Sequence, residues 1–225
     1  VPAKTTNGAY HFTTTSSRVT ADHADFNISS STPFTFEFWY QFKTKQNNSY
    51  MVDFGTGNMF HFFPTTSSNK LRLYGVGAYF IDGAVGVGMT DDIWYHAAIT
   101  GDGSGNTKLY IDGSQTGSTH NGSWTVSGGR IRLNGYAGSG YTTYGNDMYV
   151  SDFRLVNGTQ VYTGAFTPPS GILTTTGGTY PSNTNVNTSI TASHTKFLTC
   201  QNSSGSLVDN SGSSHSLSTD GTVTP

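Results

Sequence analysis

Residues 34–42 constrain this chain more than any other stretch. Rings stand at Phe34, Phe36, Phe38, Tyr40 and Phe42, with Thr35, Glu37, Trp39 and Gln41 between them. Successive side chains of a strand point to opposite faces, so this period of two puts five rings on one face and a mostly polar set on the other. A helix would scatter the same rings around its cylinder. The stretch predicts the central strand of an antiparallel sandwich with its ring face in the core. Glu37 is the only glutamate of the chain. It is expected half-exposed on the polar face, paired with an arginine such as Arg154.

The remaining sequence agrees with an all-β class. Aromatic residues make up 13% of the chain and charged residues only 11%, with 28 glycines among 225 residues. Such a balance suits a loop-rich sandwich and lacks the Ala, Leu, Glu and Lys that build helices. One domain of this length buries a sizeable core. The net charge is −2 and no basic patch stands out, so nucleic acid is not an expected partner. Cys200 is the single cysteine, which excludes an internal disulfide and a cysteine zinc site; it reads as a small core residue. No run approaches the ~20 apolar residues of a membrane span, so membrane insertion is not expected. Residues 1–10 carry neither the pattern of a signal peptide nor an initiating Met, which reads as a processed chain or a fragment.

Short strand candidates recur between turn signals, as in a sandwich or jelly roll. They include residues 9–12, 50–54, 59–63 (stopped by Pro64), 70–74, 93–100, 108–111, 124–126, 130–133, 148–156 and 196–200. Residues 101–106 form a Gly/Asp/Asn turn that joins two of them as a hairpin. Residues 1–8 read as an N-terminal arm, 9–176 as the sandwich domain, and 177–225 as a polar C-terminal extension partly packed on it. Within that extension, residues 177–193 read as a long loop or linker.

Several motifs resemble the laminin-G-like, concanavalin A-like lectin/glucanase superfamily. Ala24-Asp25-Phe26-Asn27-Ile28 followed by Phe34-Thr35-Phe36-Glu37-Phe38-Trp39 is similar to its opening strands. Trp94-Tyr95-His96-Ala97-Ala98-Ile99-Thr100, the turn, and Leu109-Tyr110-Ile111-Asp112-Gly113 resemble its hairpin. Ser151-Asp152-Phe153-Arg154-Leu155-Val156-Asn157-Gly158 resembles its closing strand in the form common in phage virion proteins, as does Asp209-Asn210-Ser211-Gly212 with His215. The resemblance implies an antiparallel jelly-roll sandwich and a non-enzymatic bacteriophage virion surface protein, either a capsid decoration or a tail-fibre component, assembled in the host cytoplasm. It implies other virion proteins or copies of the chain as partners, and weak adhesion to host-surface glycans. A purely structural decoration and a glycoside hydrolase are the alternatives.

Hydrolysis of glycosides needs two carboxylates flanking the bond. Glu37 has none beside it on its strand, and a cross-strand pair such as Asp53 and Asp152 has no supporting motif. Sugar binding needs aromatic platforms beside planar polar groups. Tyr136, Tyr141 and Tyr144 share a Gly-rich loop with Asn134, Asn146 and Asp147, and Trp124 lies near His120 and Asn121; Trp124, Asn134, Tyr136, Tyr141, Tyr144, Asn146 and Asp147 are the expected binding site, with packing of these rings over the sandwich edge or against a neighbouring subunit as the competing assignment. Calcium, the one cofactor the loops suggest, takes several oxygen ligands. Asp102 with Asn106 is the weak candidate, with a plain hairpin turn as the competing assignment. The seven histidines show no close pair in sequence, and no metal role is expected of them.

Overall fold

The computed structural model describes residues 8–56, 60–75, 77–137, 144–202 and 205–225. In chain order its strands are β1 (Tyr10–Phe12), β2 (Arg18–Asp22), β3 (Pro33–Thr44), β4 (Val52–Phe54), β5 (Phe60–Thr65), β6 (Lys70–Gly75), β7 (Ala78–Asp82), β8 (Trp94–Asp102), β9 (Asn106–Ile111), β10 (Ser114–Gln115), β11 (His120–Asn121), β12 (Arg130–Leu133), β13 (Asp147–Asn157), β14 (Thr195–Thr199), β15 (Ser218–Asp220) and β16 (Val223–Thr224). Among the described residues the only helix is a 3₁₀ turn at Ala24–Phe26. The strands form two antiparallel sheets. The first runs β10-β9-β8-β3-β13-β1-β16, with β11 also on β9 and β14 on β13; the second runs β15-β2-β12-β4-β5-β6-β7.

The sheets pack as the sandwich that residues 34–42 predict. β3 lies in the middle of the first sheet, between β8 and β13. Its five rings are fully buried. They meet the rings of the second sheet, with Phe36 5.1 Å from Phe54 and Phe38 6.1 Å from Phe62 between centroids. Burying one such side chain stabilises by roughly 1.5–3 kcal/mol, so this row contributes heavily to the core.

The other face of β3 departs from expectation. Glu37 is not half-exposed: it and Arg154 are both fully buried. The antiparallel register places them directly opposite each other. Arg154 Nε and Nη2 donate to Glu37 Oε1 at 3.0 and 2.6 Å. Glu37 Oε2 accepts from His96 Nε2 at 3.2 Å and from the Tyr162 hydroxyl at 2.5 Å. A bulge makes the pairing possible. Between Ser151 and Arg154 the β13 register slips by one residue, and Asp152 adopts a left-handed φ of 50°. Without that extra residue Phe153 would face Glu37; with it, Phe153 turns into the core and Arg154 turns out.

Burial is possible because the chain after β13 covers this face. Arg154 Nη1 donates to the carbonyls of Thr174 and Gly177 at 2.9 and 2.6 Å, and Nη2 to the Tyr180 hydroxyl at 3.0 Å. Val161, Tyr162, Phe166 and Ile190 make a second apolar layer over Ala98, Tyr110 and Val156, with Tyr180 and Val186 packed against it. Residues 177–193 are irregular, as expected of a loop, but they lie on the sheet instead of linking separate bodies. Two strand assignments also change. Trp124 and Val126 flank an isolated bridge, Ser29↔Thr125, and form no strand. β5 continues through Pro64 because at that point it pairs only with β6, on the side that asks no donor of Pro64.

Desolvation pushes the Glu37 carboxyl up, but Arg154, His96 and Tyr162 outweigh it and hold the group at about 2, below its ordinary 4.5. A depressed carboxylate stabilises the fold above its unfolded value, and that contribution is lost as pH falls from 4.5 through about 2. Glu37→Gln mimics the protonated form and leaves Arg154 a buried, unbalanced charge. It is expected to lose about 3–5 kcal/mol at pH 7 in urea unfolding. The variant and wild-type stabilities should converge between pH 4.5 and 2, and parallel curves would refute the assignment.

Candidate functional site

The outer face of the second sheet is built differently. Val52 and Phe54, Phe60 and Phe62, and Leu71 and Leu73 point into the core. Alternation therefore turns Asp53, His61 and Tyr74 outward. The register aligns them in one row across five strands: Arg132 faces Asp53, Asp53 faces His61, His61 faces Tyr74, and Tyr74 faces Tyr79. Above this row lies a cleft of 330 Å³ lined by Asn48, Tyr50, His61, Phe63, Tyr74 and Tyr79.

Rings crowd around His61. Its imidazole stacks on Tyr74 and Tyr136, with centroids 5.7 Å apart in both cases, and lies 4.9 Å from Tyr50. The Tyr50 ring is 5.3 Å from Tyr136, 5.8 Å from Tyr144 and 5.8 Å from Phe63. Tyr79 is 59% exposed and carries the Arg72 guanidinium 5.0 Å above its ring. Tyr144 is 37% exposed at the other margin.

Beneath the rings, His61 Nδ1 donates to Asp53 Oδ1 at 2.6 Å, and Asp53 Oδ2 accepts the Ala137 amide at 2.6 Å. That bond orients the imidazole and leaves Nε2 as its second polar atom. Burial pushes the Asp53 carboxyl up, against the pull of His61, Ala137 and Arg132. The loop bearing Tyr136 is pinned at several points. Arg132 Nη1 donates to the Tyr136 carbonyl and Arg130 Nη1 to the Ala137 carbonyl at 3.2 Å. The Tyr50 amide donates to the Tyr144 carbonyl at 2.8 Å. Asn48 supplies an amide at the rim, its Oδ1 accepting from Thr65 at 3.2 Å.

The residues expected from sequence divide accordingly. Tyr136 and Tyr144 both pack against Tyr50 beside the cleft, and Tyr136 also stacks on His61, but neither is among its lining residues; Tyr141 lies outside the described residues. Trp124 is not a loop platform: it is 5% exposed and packs among Phe34, Phe60 and Phe80. Asn134 and Asn146 are fully buried. Asn134 bonds the Ser17 and Asn146 carbonyls, and Asn146 bonds the Gln46 amide and the Ser49 carbonyl. Their amides close loops and face no ligand. Asp147 pairs with His11 at 2.7 Å. Asp102 accepts from the Ser104 amide and from both the amide and the side chain of Asn106. Those donors occupy the oxygens a calcium ion would need, so this is the hairpin turn. Asp53 and Asp152 stand in different sheets and flank no common bond. Tyr50, His61, Tyr74 and Tyr79 are not among the expected residues; the outward phase of β5 and β6 signals His61 and Tyr74 once the apolar phase is assigned to the core, whereas Tyr50 precedes β4 and Tyr79 is turned outward by the β6–β7 register shift.

The sequence matches the Concanavalin A-like lectin/glucanases superfamily over residues 13–159. No curated protein matches it. Among solved structures, a candidate carbohydrate binding protein from Bacteroides ovatus superposes with a TM-score of 0.61 at 13% identity, covering 99% of this chain and 60% of that one. The heptameric SAP-like pentraxin of Limulus polyphemus superposes with a TM-score of 0.51 at 14% identity, covering 68% of this chain and 77% of its own. At these identities the likeness is one of fold alone. The chain spans only 60% of the length of the Bacteroides ovatus protein.

Asp53→Ala orphans two buried donors, the Ala137 amide and His61 Nδ1–H. Each such loss is worth about 1–3 kcal/mol. The variant is expected to unfold at lower urea by a corresponding margin and to broaden the amide resonances of residues 134–137 in NMR. A change in stability with unaltered loop resonances would count against a pinning role.

Proposed function

The chain belongs to the Concanavalin A-like lectin/glucanases superfamily, and on that premise we propose that it is a non-enzymatic carbohydrate-binding module whose site is the tyrosine cleft of the second sheet. The observation that carries this is the cluster of Tyr50, Tyr74, Tyr79 and Tyr136 around His61. Apolar faces of sugar rings stack on aromatic rings, while hydroxyls need a few fixed polar partners. Here the His61 imidazole, the Asn48 amide and the tyrosine hydroxyls are those partners. The volume sits near the lower end of ligand pockets, roughly 300–1,000 Å³, which suits a short saccharide.

A binder fits this surface better than a hydrolase does. Among the described residues, none lining the cleft is a carboxylate, whereas glycoside hydrolysis uses two. Both oxygens of Glu37, the sole glutamate, are engaged within a buried network.

The resemblance of residues 151–158 and 209–215 to virion proteins supports a further reading. The module would sit on a virion surface, as a capsid decoration or tail-fibre component, beside other virion proteins or its own copies. A shallow site binds weakly alone, and repetition on a particle supplies avidity. Antibody labelling of purified particles tests the location: label on a lattice or fibre tip supports it, and absence from particles refutes it.

The binding proposal is tested by a glycan array followed by calorimetric titration of the best oligosaccharide. Tyr79→Ala and Tyr136→Ala are each expected to weaken binding about tenfold, the equivalent of one lost stacking contact. Tyr10→Phe, far from the cleft, should leave affinity unchanged. Binding that survives both alanine variants would move the site elsewhere, and silence across the array would favour a purely structural decoration.

A further inference from the structure

Three metal-ligating side chains meet at the opposite edge of the second sheet. His23 follows β2 directly and keeps extended backbone angles, φ −165° and ψ 151°. His215 precedes β15 in the C-terminal segment. The β2–β15 register pairs Ser218 with Thr20. Continued three residues further, it places His215 opposite His23, where cross-strand side chains touch. The two imidazole centroids are 4.5 Å apart. Asp25 lies between them. Its Oδ2 is 3.3 Å from His23 Nδ1 and 3.2 Å from His215 Nε2.

We propose that His23, Asp25 and His215 bind a divalent transition metal ion of the zinc class. Metal–ligand bonds of 2.0–2.2 Å in a tetrahedron set ligand atoms about 3.3 Å apart, which is the spacing of Asp25 Oδ2 from each imidazole. Two imidazoles and a carboxylate suit zinc and its neighbours, whereas calcium and magnesium ask for oxygen sets. An independent observation points the same way. The His215 side chain is only 8% exposed, and its Nε2 is buried with no hydrogen bond, although it faces the Asp25 carboxylate. A buried nitrogen without a hydrogen bond is costly, and a metal ion would engage it.

The surroundings hold the ligands in place. Asp209 Oδ2 accepts the His215 amide at 2.8 Å, and Asp209 Oδ1 accepts the Leu198 and Ser211 amides at 3.0 and 2.9 Å. The Phe26 ring packs under His215, centroids 4.8 Å apart. Ser213 Oγ donates to Asp25 Oδ2 at 3.4 Å. His23 Nδ1 accepts the Asp25 amide at 3.2 Å, a long bond that a metal would displace. On the open side, His23 is half-exposed and borders a 360 Å³ cleft lined also by Asp22, Ala24, Asn27, Gly128 and Gly129. A water molecule there would complete a four-coordinate site. Bound metal would clip the C-terminal segment to the end of β2.

The test is calorimetric titration of the tag-free full chain with zinc chloride, with calcium chloride alongside and cobalt chloride read by visible absorption. One equivalent of zinc, no calcium heat, and the intense visible bands of tetrahedral cobalt are expected. At a hundredfold excess of zinc over its Kd the melting temperature should rise by about 5 °C or more. His23→Ala and His215→Ala should each raise the zinc Kd at least about 100-fold, since even outer partners of a metal site are worth 10–100-fold. His120→Ala should leave it unchanged. If His215→Ala fails to fold by circular dichroism, the exposed His23→Ala and the wild-type cobalt spectrum decide. No zinc binding, octahedral cobalt, or zinc binding that survives His23→Ala overturns the proposal.

Discussion

The Glu37–Arg154 pair is the constraint on which the rest of this sandwich depends. It lies on the outer face of the central strand, where a half-exposed pair would contribute little. Here both groups are wholly out of water, which costs several kcal/mol per ion unless every donor and acceptor is used. They are used. Glu37 accepts from Arg154, His96 and Tyr162, and Arg154 spends its remaining donors on Thr174, Gly177 and Tyr180. Four of those partners, Tyr162, Thr174, Gly177 and Tyr180, belong to the chain that follows β13. The ion pair therefore gives irregular backbone a fixed place to dock, and the docked backbone keeps water from the ion pair.

Much of the fold was legible because strand periodicity is local. Alternation over residues 34–42 suffices to turn five rings inward, and the Gly/Asp turn at residues 101–106 suffices to make the β8–β9 hairpin. The burial of Glu37 was not legible. It depends on a one-residue bulge at Asp152 and on a covering segment whose sequence is mostly polar. Nothing local announces that Tyr180, Val186 and Ile190 share a surface with Tyr162 and Phe166, since those contacts are made across about 20 residues of turns. The pairing with Arg154 could be guessed; the solvent it loses could not.

The candidate site was legible in part for the same reason. Tyr136 and Tyr144 stand out as loop rings that no strand pattern claims. Trp124, Asn134 and Asn146 stand beside them in sequence, yet long-range partners take them: Phe60 and Phe80 for the indole, Ser17 and Ser49 carbonyls for the amides. His61 and Tyr74 read as ordinary strand residues because a polar or aromatic outward position is common on any sheet. Only the register reveals that Asp53, His61, Tyr74 and Tyr79 form one row. His23 and His215 carry the same lesson at greater range, since 191 residues separate them and a single strand pairing brings them face to face.

The two outer faces of the sandwich thus have opposite fates, and the C-terminal part of the chain decides which is which. The family match ends at residue 159. Beyond it, the chain lays an apolar and hydrogen-bonded cover over the first sheet, then contributes β14 and β16 to that sheet and β15 to the second. On the covered face, Glu37, Arg154 and the Tyr162 layer are buried. The second sheet keeps an uncovered row of rings around His61, held rigid from below by Asp53 and from the side by the pinned loop at Tyr136. Rigid, wet aromatic surface is what a sugar can use, because little conformational entropy remains to be lost on binding. The asymmetry follows from where one buried charge pair was placed: the face that holds Glu37 is sealed, which leaves the other face as the place for the proposed site.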